Sequence, residues 1–382
     1  VVIGIPCLLV GGTEVHTLAL ATALHTGGYR VSVCCYHEHD AEMVDAFRTR
    51  GIDVDVLNIP RSTSRLRVTG AYPLFRAFAE VLSRRRPDVA HIQYMTPGAM
   101  PVALARAVGV PRVIATVHVT ANHYGGRRWI PKHFAARLCD AFLCVSKTAE
   151  SSFFGDDAAL FDEGAWRDGR RHFTIHNCVE LADGNMPAPN ANGCAIGIVG
   201  RLDRFKGHDI LLDAFARVRQ RHPKTKLMII GDGERRAELE RQSRRLNLNG
   251  NVSWIGRVPP NRVSEYLRQM DIVAMPSRPG LEGFGLVAAE AMSHSKPVVA
   301  SRVDGLVEVV GQAGDGHDAG GLLVPPYDSQ ALASALEHLI ETPAERESLG
   351  RAGRRRVEQM FSPQTFADRH LRLYAALCGA NG

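Results

Sequence analysis

The chain has 382 residues, 45% of them hydrophobic and 23% charged, with a formal net charge of +6. These values exclude a disordered chain and suit two ordinary cores rather than one. No apolar run is long enough to cross a bilayer. The basic residues form short runs mixed with acids and lack interleaved aromatics, so nucleic acid is not an expected partner.

Val1–Ile5 reads as a buried first strand and not a secretory leader, because no basic segment precedes it and Pro6 ends it. The opening on Val1 fits a numbering that starts inside a slightly longer chain. Val31–Cys35, Val54–Leu57, Val89–Ile92, Val113–Val117 and Phe142–Val145 are further short strand signals. Helical patterns fill the gaps. The first puts Val15, Leu18, Ala19 and Ala23 on one face and stops at Gly27-Gly28. The charge-rich stretch Ser151–Arg171 reads equally as a lid, an acceptor loop or a disordered excursion.

Residues 183–193 have no apolar period and are rich in Gly, Pro and Asn, which predicts an interdomain linker. A second alternating series follows. Its strands are Cys194–Val199, Lys226–Ile230, Val252–Ile255, Ile272–Met275, Pro297–Ala300 and Gly321–Val324, with helices such as Gln330–Ile340 between them. Alternation of this kind predicts two α/β domains, each a doubly wound parallel sheet with helices on both faces. The expected division is 1–182, linker 183–193, 194–360, and a final helix in 361–382. Ser362 and Pro363 open that helix, and Phe366, His370, Leu373, Tyr374 and Leu377 form its apolar stripe. Eight scattered cysteines without a C-x-x-C pair read as buried small hydrophobes in a reducing cytoplasm.

Ligands of open α/β sheets bind beyond the carboxyl ends of the strands. Gly11-Gly12-Thr13-Glu14 follows the first strand and leads into a helix, an arrangement that fits a phosphate site or a plain turn. No G-x-G-x-x-G follows, which counts against a dinucleotide enzyme. Gly200 to Gly207 repeats the arrangement in the second half, with Arg201 and Lys206 in one loop. They read as a diphosphate clamp or as a solvated basic loop.

The strongest signal is Glu282-Gly283-Phe284-Gly285, followed by the helix Leu286–Ser293 that carries Glu290 among alanines. Helical spacing over most of that step puts the two acids about 10–12 Å apart. N–H groups of Phe284, Gly285 and Leu286 lie between them at a helix N-terminus. A ribose diol at Glu290, a diphosphate in the middle and a sugar at Glu282 would fill this layout. Paired glycosidase acids stand closer, at about 5–9.5 Å, and flank a single bond. His118, after Val113–Val117, suits a sugar hydroxyl, a leaving phosphate or a purely structural role. His37-Glu38-His39-Asp40 has metal-ligand residue types but reads as a solvated loop, and Asp53-Val54-Asp55 is discounted as a metal motif because it enters a strand.

Taken together, Gly11-Gly12-x-Glu14, Thr116-Val117-His118, Val145-Ser146, Asn177 with Val179-Glu180, Gly200-Arg201…Lys206-Gly207, Gly231-Asp232-Gly233, Gly256-Arg257-Val258 and Glu282…Glu290 resemble the large family 4 of retaining glycosyltransferases. The likeness spans almost the whole chain. It implies the GT-B fold, two facing Rossmann-like domains with a cleft between them, the N-terminal one for acceptor and the C-terminal one for donor. The last helix would cross back to the N-terminal domain. It also implies Arg201 and Lys206 as the diphosphate clamp, Glu290 as ribose ligand, and Glu282 with Gly283, Phe284, Gly285 and Leu286 as sugar and phosphate contacts. Val258 would give a backbone contact to the base, and Gly11, Gly12 and His118 would meet the donor from the other domain. Cys178 stands where the family has glycine, which would reshape that turn.

The expected function is retaining transfer of a hexosyl or N-acetylhexosaminyl unit from a UDP-linked or other nucleotide sugar to an unidentified acceptor. Arg201, Lys206, Glu282 and His118 would carry catalysis, without metal or cofactor. The acceptor could be a small molecule, a glycan or a lipid-linked glycan. Basic and apolar residues in 65–78 would permit peripheral contact with the inner face of a membrane. A non-catalytic nucleotide-sugar-binding relative is the competing class.

Overall fold

Each β-branched run predicted as a strand forms one, to within two residues at either end. The computed structural model of the chain describes residues 1–61, 72–94, 99–121, 136–183, 193–312 and 318–379. Its strands are β1 (Val2–Ile5), β2 (Ser32–Cys35), β3 (Asp53–Val56), β4 (Val89–Tyr94), β5 (Arg112–Val117), β6 (Ala141–Cys144), β7 (His172–Thr174), β8 (Ala195–Val199), β9 (Lys226–Ile230), β10 (Val252–Gly256), β11 (Ile272–Met275), β12 (Val298–Ser301) and β13 (Gly321–Val324). The short strand β7 carries no sequence signal of its own.

Two compact units hold these strands. One is Val1–Asn177 with Pro363–Gly382, the other Cys178–Ser362. Strand order in the first is β3-β2-β1-β4-β5-β6-β7 and in the second β10-β9-β8-β11-β12-β13. All pairings are parallel. Both sheets therefore reverse direction of travel between their first and fourth strands, β1/β4 and β8/β11, the topological switch point where such sheets bind ligands. The break at Asn177 comes earlier than the expected linker at 183–193, of which 184–192 lie outside the described residues. Val179 N–H donates to the Phe361 carbonyl at 3.0 Å, so the chain after Asn177 already belongs to the second unit.

The final helix, Pro363–Gly379, belongs to the first unit and buries Phe366, His370, Leu373, Tyr374 and Leu377, the stripe read from the sequence. It packs on the helix Gly12–Thr26, where a Cβ on Gly27 would overlap Leu371. The expected apolar face of Gly12–Thr26 is wrong. Glu14, His16, Thr17, Leu20, Ala21 and Leu24 are buried, whereas Val15, Leu18, Ala19 and Ala23 are only half-buried. Polar partners inside the unit pull His16 and Glu14 inward and turn the helix.

The stretch after Ser151 is folded rather than disordered. Helices Lys147–Phe154 and Glu163–Arg167 lead into β7, and Leu160 bridges Thr174. Glu150, fully buried, organises the turn. Its carboxylate accepts from Thr174 Oγ1 at 2.7 Å and Ala159 N–H at 3.2 Å, and pairs with Arg170 at 2.9 Å and His172 at 2.8 Å. A buried carboxylate needs such a full set of donors. All eight cysteines are free, with Cys34, Cys35, Cys139 and Cys144 buried. No described helix is long and apolar enough to cross a membrane.

Candidate functional site

At the switch point of the second sheet, the loops after neighbouring strands β8 and β11 meet. Gly207 ends the first loop at φ 69° and begins the helix His208–Arg221. A Cβ there would overlap the Pro276 carbonyl of the second loop, so glycine lets the two backbones touch. This approach delivers Lys206 to Glu282. The Lys206 ammonium donates to both carboxylate oxygens of Glu282, at 2.9 and 3.1 Å, and Ser277 Oγ donates to one of them at 2.7 Å. Glu282 is buried apart from a small window of 8%.

The Glu282 loop is held from a third side. Asp304, after β12, accepts the N–H of Gly280 at 2.6 Å and of Glu282 at 3.3 Å, while the Glu282 carbonyl accepts from Gly305 N–H at 3.0 Å. Gly285, at φ 100°, caps the helix Leu286–Ser293 without any side-chain cap. Phe284 is buried edge-on against Phe361, ring centroids 5.2 Å apart. Just over one turn into the helix, Glu290 is half-buried and its carboxylate has no hydrogen-bond or ion-pair partner among the described residues. Burial among apolar neighbours pushes its carboxyl up to about 7. A desolvated, unpaired acceptor is the state in which a carboxylate gains most from ligand hydroxyls.

Arg201 is largely exposed and, among the described residues, meets only Asp203, at 3.3 Å. Asp203 in turn accepts from the N–H groups of Phe205 at 2.8 Å and Lys206 at 3.2 Å, which fixes the loop. Sequence reasoning missed the brace behind this site. Arg278 grips Asp209 with two bonds, 3.0 and 2.6 Å, and its own N–H donates to the Phe205 carbonyl at 2.7 Å. Arg235 reaches the same carboxylate at 3.3 Å. Burial acts to raise the Asp209 carboxyl, but Arg278 and Arg235 outweigh it and leave it lowered. Val258 is half-buried beyond Gly256, whose carbonyl accepts from Gly231 N–H at 2.8 Å.

Gly11, Gly12 and His118 belong to the first unit. Gly11 caps Gly12–Thr26 in extended backbone, and a Cβ on it would press on the Glu14 carboxylate. Cys7 donates to Glu14 at 3.4 Å, and burial pushes its thiol up to about 12. His118 is buried, and its Nε2 lies 2.6 Å from Gln93 Oε1. Burial holds it well below the ordinary imidazole range. The residues with metal-ligand types have ordinary structural partners instead. Asp53 and Asp55 pair with Arg84 and Arg85, Glu38 pairs with Arg61, and Asp40 caps the helix Ala41–Arg48.

Family models match both halves of the chain: "Glycosyltransferase Family 4" over residues 10–153 and "Glycosyl transferases group 1" over residues 188–356. The chain belongs to glycosyltransferase family 4. Among curated relatives of this glycosyltransferase, the glycogen synthase of Mycobacterium tuberculosis is 26% identical, over 97% of this chain and 92% of its own. The phosphatidyl-myo-inositol mannosyltransferase of the same species is 27% identical, over 97% and 94%. Over a shorter span, 44% of this chain and 40% of the relative, the D-inositol 3-phosphate glycosyltransferase of Jonesia denitrificans is 38% identical. The fold matches solved glycosyltransferases. Anabaena HepE in complex with UDP and glucose superposes with a TM-score of 0.75 at 21% identity, over 98% of both chains. A Rickettsia africae glycosyltransferase gives 0.77 at 18%, over 100% and 98%. The two Rossmann-like units are thus those of a GT-B glycosyltransferase.

Proposed function

We propose that this glycosyltransferase moves a hexosyl unit from a nucleotide diphosphate sugar to an acceptor hydroxyl with retention, and that its second unit holds the donor. The reading is carried by one observation: a Lys206–Glu282–Ser277 cluster at one end of a helix N-terminus and the unpaired Glu290 carboxylate inside that helix. Glu290 takes the ribose diol, Val258 contacts the base through its backbone, and the N–H groups at Gly283, Phe284, Gly285 and Leu286 face the diphosphate. Lys206 and Arg201 neutralise the charge that develops as the diphosphate leaves, with no metal required. Glu282 receives hydroxyls of the sugar.

In the reaction the bond from the anomeric carbon to the diphosphate oxygen breaks. The bond to the acceptor oxygen forms on the same face, and the acceptor proton passes to the departing diphosphate. No side chain becomes a covalent nucleophile; catalysis is positioning plus charge stabilisation. The first unit takes the acceptor, and its Gly11, Gly12 and His118 are donor contacts, as the family resemblance implies. A UDP-sugar is the first donor to try. The GDP-mannose-dependent mannosyltransferase of Corynebacterium glutamicum, 27% identical over 86% of both chains, makes GDP-mannose the second.

A lipid-borne acceptor is a second reading, favoured by the relatives named phosphatidyl-myo-inositol mannosyltransferase. Residues 65–71 of the expected docking stretch lie outside the described residues. The rest opens the helix Tyr72–Arg85, which leaves Tyr72 exposed and buries Leu74 and Phe78. Flotation with anionic liposomes tests this reading.

Release of nucleoside diphosphate by purified protein from UDP-glucose, GDP-mannose or ADP-glucose tests the transferase reading. Release from at least one donor, lost in Lys206→Ala, supports it. Binding without release, with or without candidate acceptors, would leave a non-catalytic nucleotide-sugar-binding protein.

A further inference from the structure

Four histidines are buried together in the first unit, and none meets a carboxylate within bonding distance among the described residues. His16 Nδ1 lies 2.7 Å from Asn177 Oδ1. Its ring stands edge-on to His118, centroids 4.8 Å apart, and lies 6.0 Å from His370. His91 is bonded on both nitrogens, to Tyr374 at 2.9 Å and Thr116 at 2.7 Å. Burial takes His16 down to about 4 and His370 to about 3. The cluster is therefore uncharged at neutral pH, and its proton positions are set by hydrogen bonds.

For His118 that setting has a chemical consequence. Gln93, on the neighbouring strand β4, places its amide oxygen 2.6 Å from Nε2. The Gln93 amide nitrogen is buried without a partner, but a 2.6 Å separation is too short for N–H···N and suits N–H···O; an amide oxygen only accepts, so Nε2 carries the proton. Nδ1 has no partner among the described residues, and a neutral ring leaves it a lone pair. The groups facing the ring are His16 from the helix Gly12–Thr26, and His91 and Gln93 from β4; His370 of the final helix stands behind His16. None supplies a negative charge to hold a second proton.

We propose that Gln93 is a positioning residue that fixes His118 as the Nε2–H imidazole, so that His118 acts through Nδ1 as acceptor for a substrate hydroxyl and not as donor to a phosphate. This rests on the glycosyltransferase reading and narrows it: the contact made by His118 is to a sugar or acceptor hydroxyl, and the diphosphate is left to Arg201, Lys206 and the helix N-terminus. A neutral acceptor also pulls on the proton of the hydroxyl it binds and raises the electron density on that oxygen, which suits an attacking or orienting hydroxyl and not a leaving group.

The tautomer can be read without any activity. In the full chain labelled with ¹⁵N-histidine, with His118→Asn used to assign its signals, His118 is expected to show a protonated Nε2 and a bare Nδ1 from pH 6 to 8. A protonated Nδ1, or a doubly protonated ring at pH 7, would overturn the proposal. Gln93→Glu supplies the second readout. Its carboxylate should make His118 titrate, so that nucleoside diphosphate release gains an acid limb falling about tenfold per pH unit and recovering at high pH. Gln93→Leu should lower release without that limb. A Gln93→Glu profile that coincides with the wild type would contradict the assignment. If the wild type releases nothing from any nucleotide sugar, the transferase reading fails while the tautomer result stands on its own.

Discussion

Lys206 Nζ sits 2.9 and 3.1 Å from the two carboxylate oxygens of Glu282, although 76 residues separate them in the chain. The pair joins the loops after two adjacent strands at the switch point of the second sheet. We predict that Lys206→Met lowers kcat by about a hundredfold or more, the scale of losing one preorganised donor to a developing negative charge. A change confined to KM would show that Lys206 binds ground state and transition state alike. Steady-state kinetics of donor turnover separates the two.

With Glu290 as the proposed ribose ligand, donor binding should depend on pH. Its carboxyl is raised to about 7 by burial, and only the ionised form accepts two ribose hydroxyls. Below that pH the donor must displace a proton, so affinity should rise as pH rises from 5.5 to 7 and level off above, by up to about tenfold per unit. Calorimetry at pH 6 in two buffers of different ionisation enthalpy should detect one proton released. In Glu290→Gln the dependence should vanish.

Gly207 lies in the left-handed region with no space for a Cβ beside the Pro276 carbonyl. Gly207→Ala should cost about 1–2 kcal/mol for the backbone conformation and more for the overlap. It should also separate Lys206 from Glu282. Urea unfolding gives the first effect and donor affinity the second; a variant as stable as wild type would refute the close approach.

Glu150 carries no expected catalytic role, and its four contacts are internal to the first unit. Glu150→Ala should destabilise that unit by about 3 kcal/mol, because Arg170 and His172 lose their buried partner. The segment 155–171 should be protected in hydrogen exchange in the wild type and open in the variant. Fast exchange in the wild type would restore the reading of this segment as a lid.

The strands and the Glu282–Glu290 helix were legible because their signals are local: β-branched runs of four to six residues, a glycine turn, an acid among alanines. What the sequence hides is assembled by tertiary contact. Asp209, Ser277 with Arg278, and Asp304 come from three separate segments, and nothing in the sequence marks the Ser277–Arg278 loop or Asp304 as neighbours of Lys206. The inward face of Gly12–Thr26 was misread because hydropathy favours Val15 and Leu18, while the bond to Asn177 turns His16 inward. Strand β7 has three residues, one of them His172, too few for a period to show. The unit boundary at Asn177 depends on the Val179–Phe361 bond, which no composition shift announces.

The central claim is that Lys206, Glu282 and Glu290 hold a nucleotide sugar. Thermal unfolding of the wild type and of Glu290→Ala, with and without millimolar UDP-glucose, GDP-mannose or ADP-glucose, tests it most directly, because a ligand raises Tm only by binding the folded state. At least one nucleotide sugar should raise the wild-type Tm by several degrees, and the shift should largely disappear in Glu290→Ala. A panel that leaves the wild type unmoved, or a shift of equal size in the variant, would contradict the account.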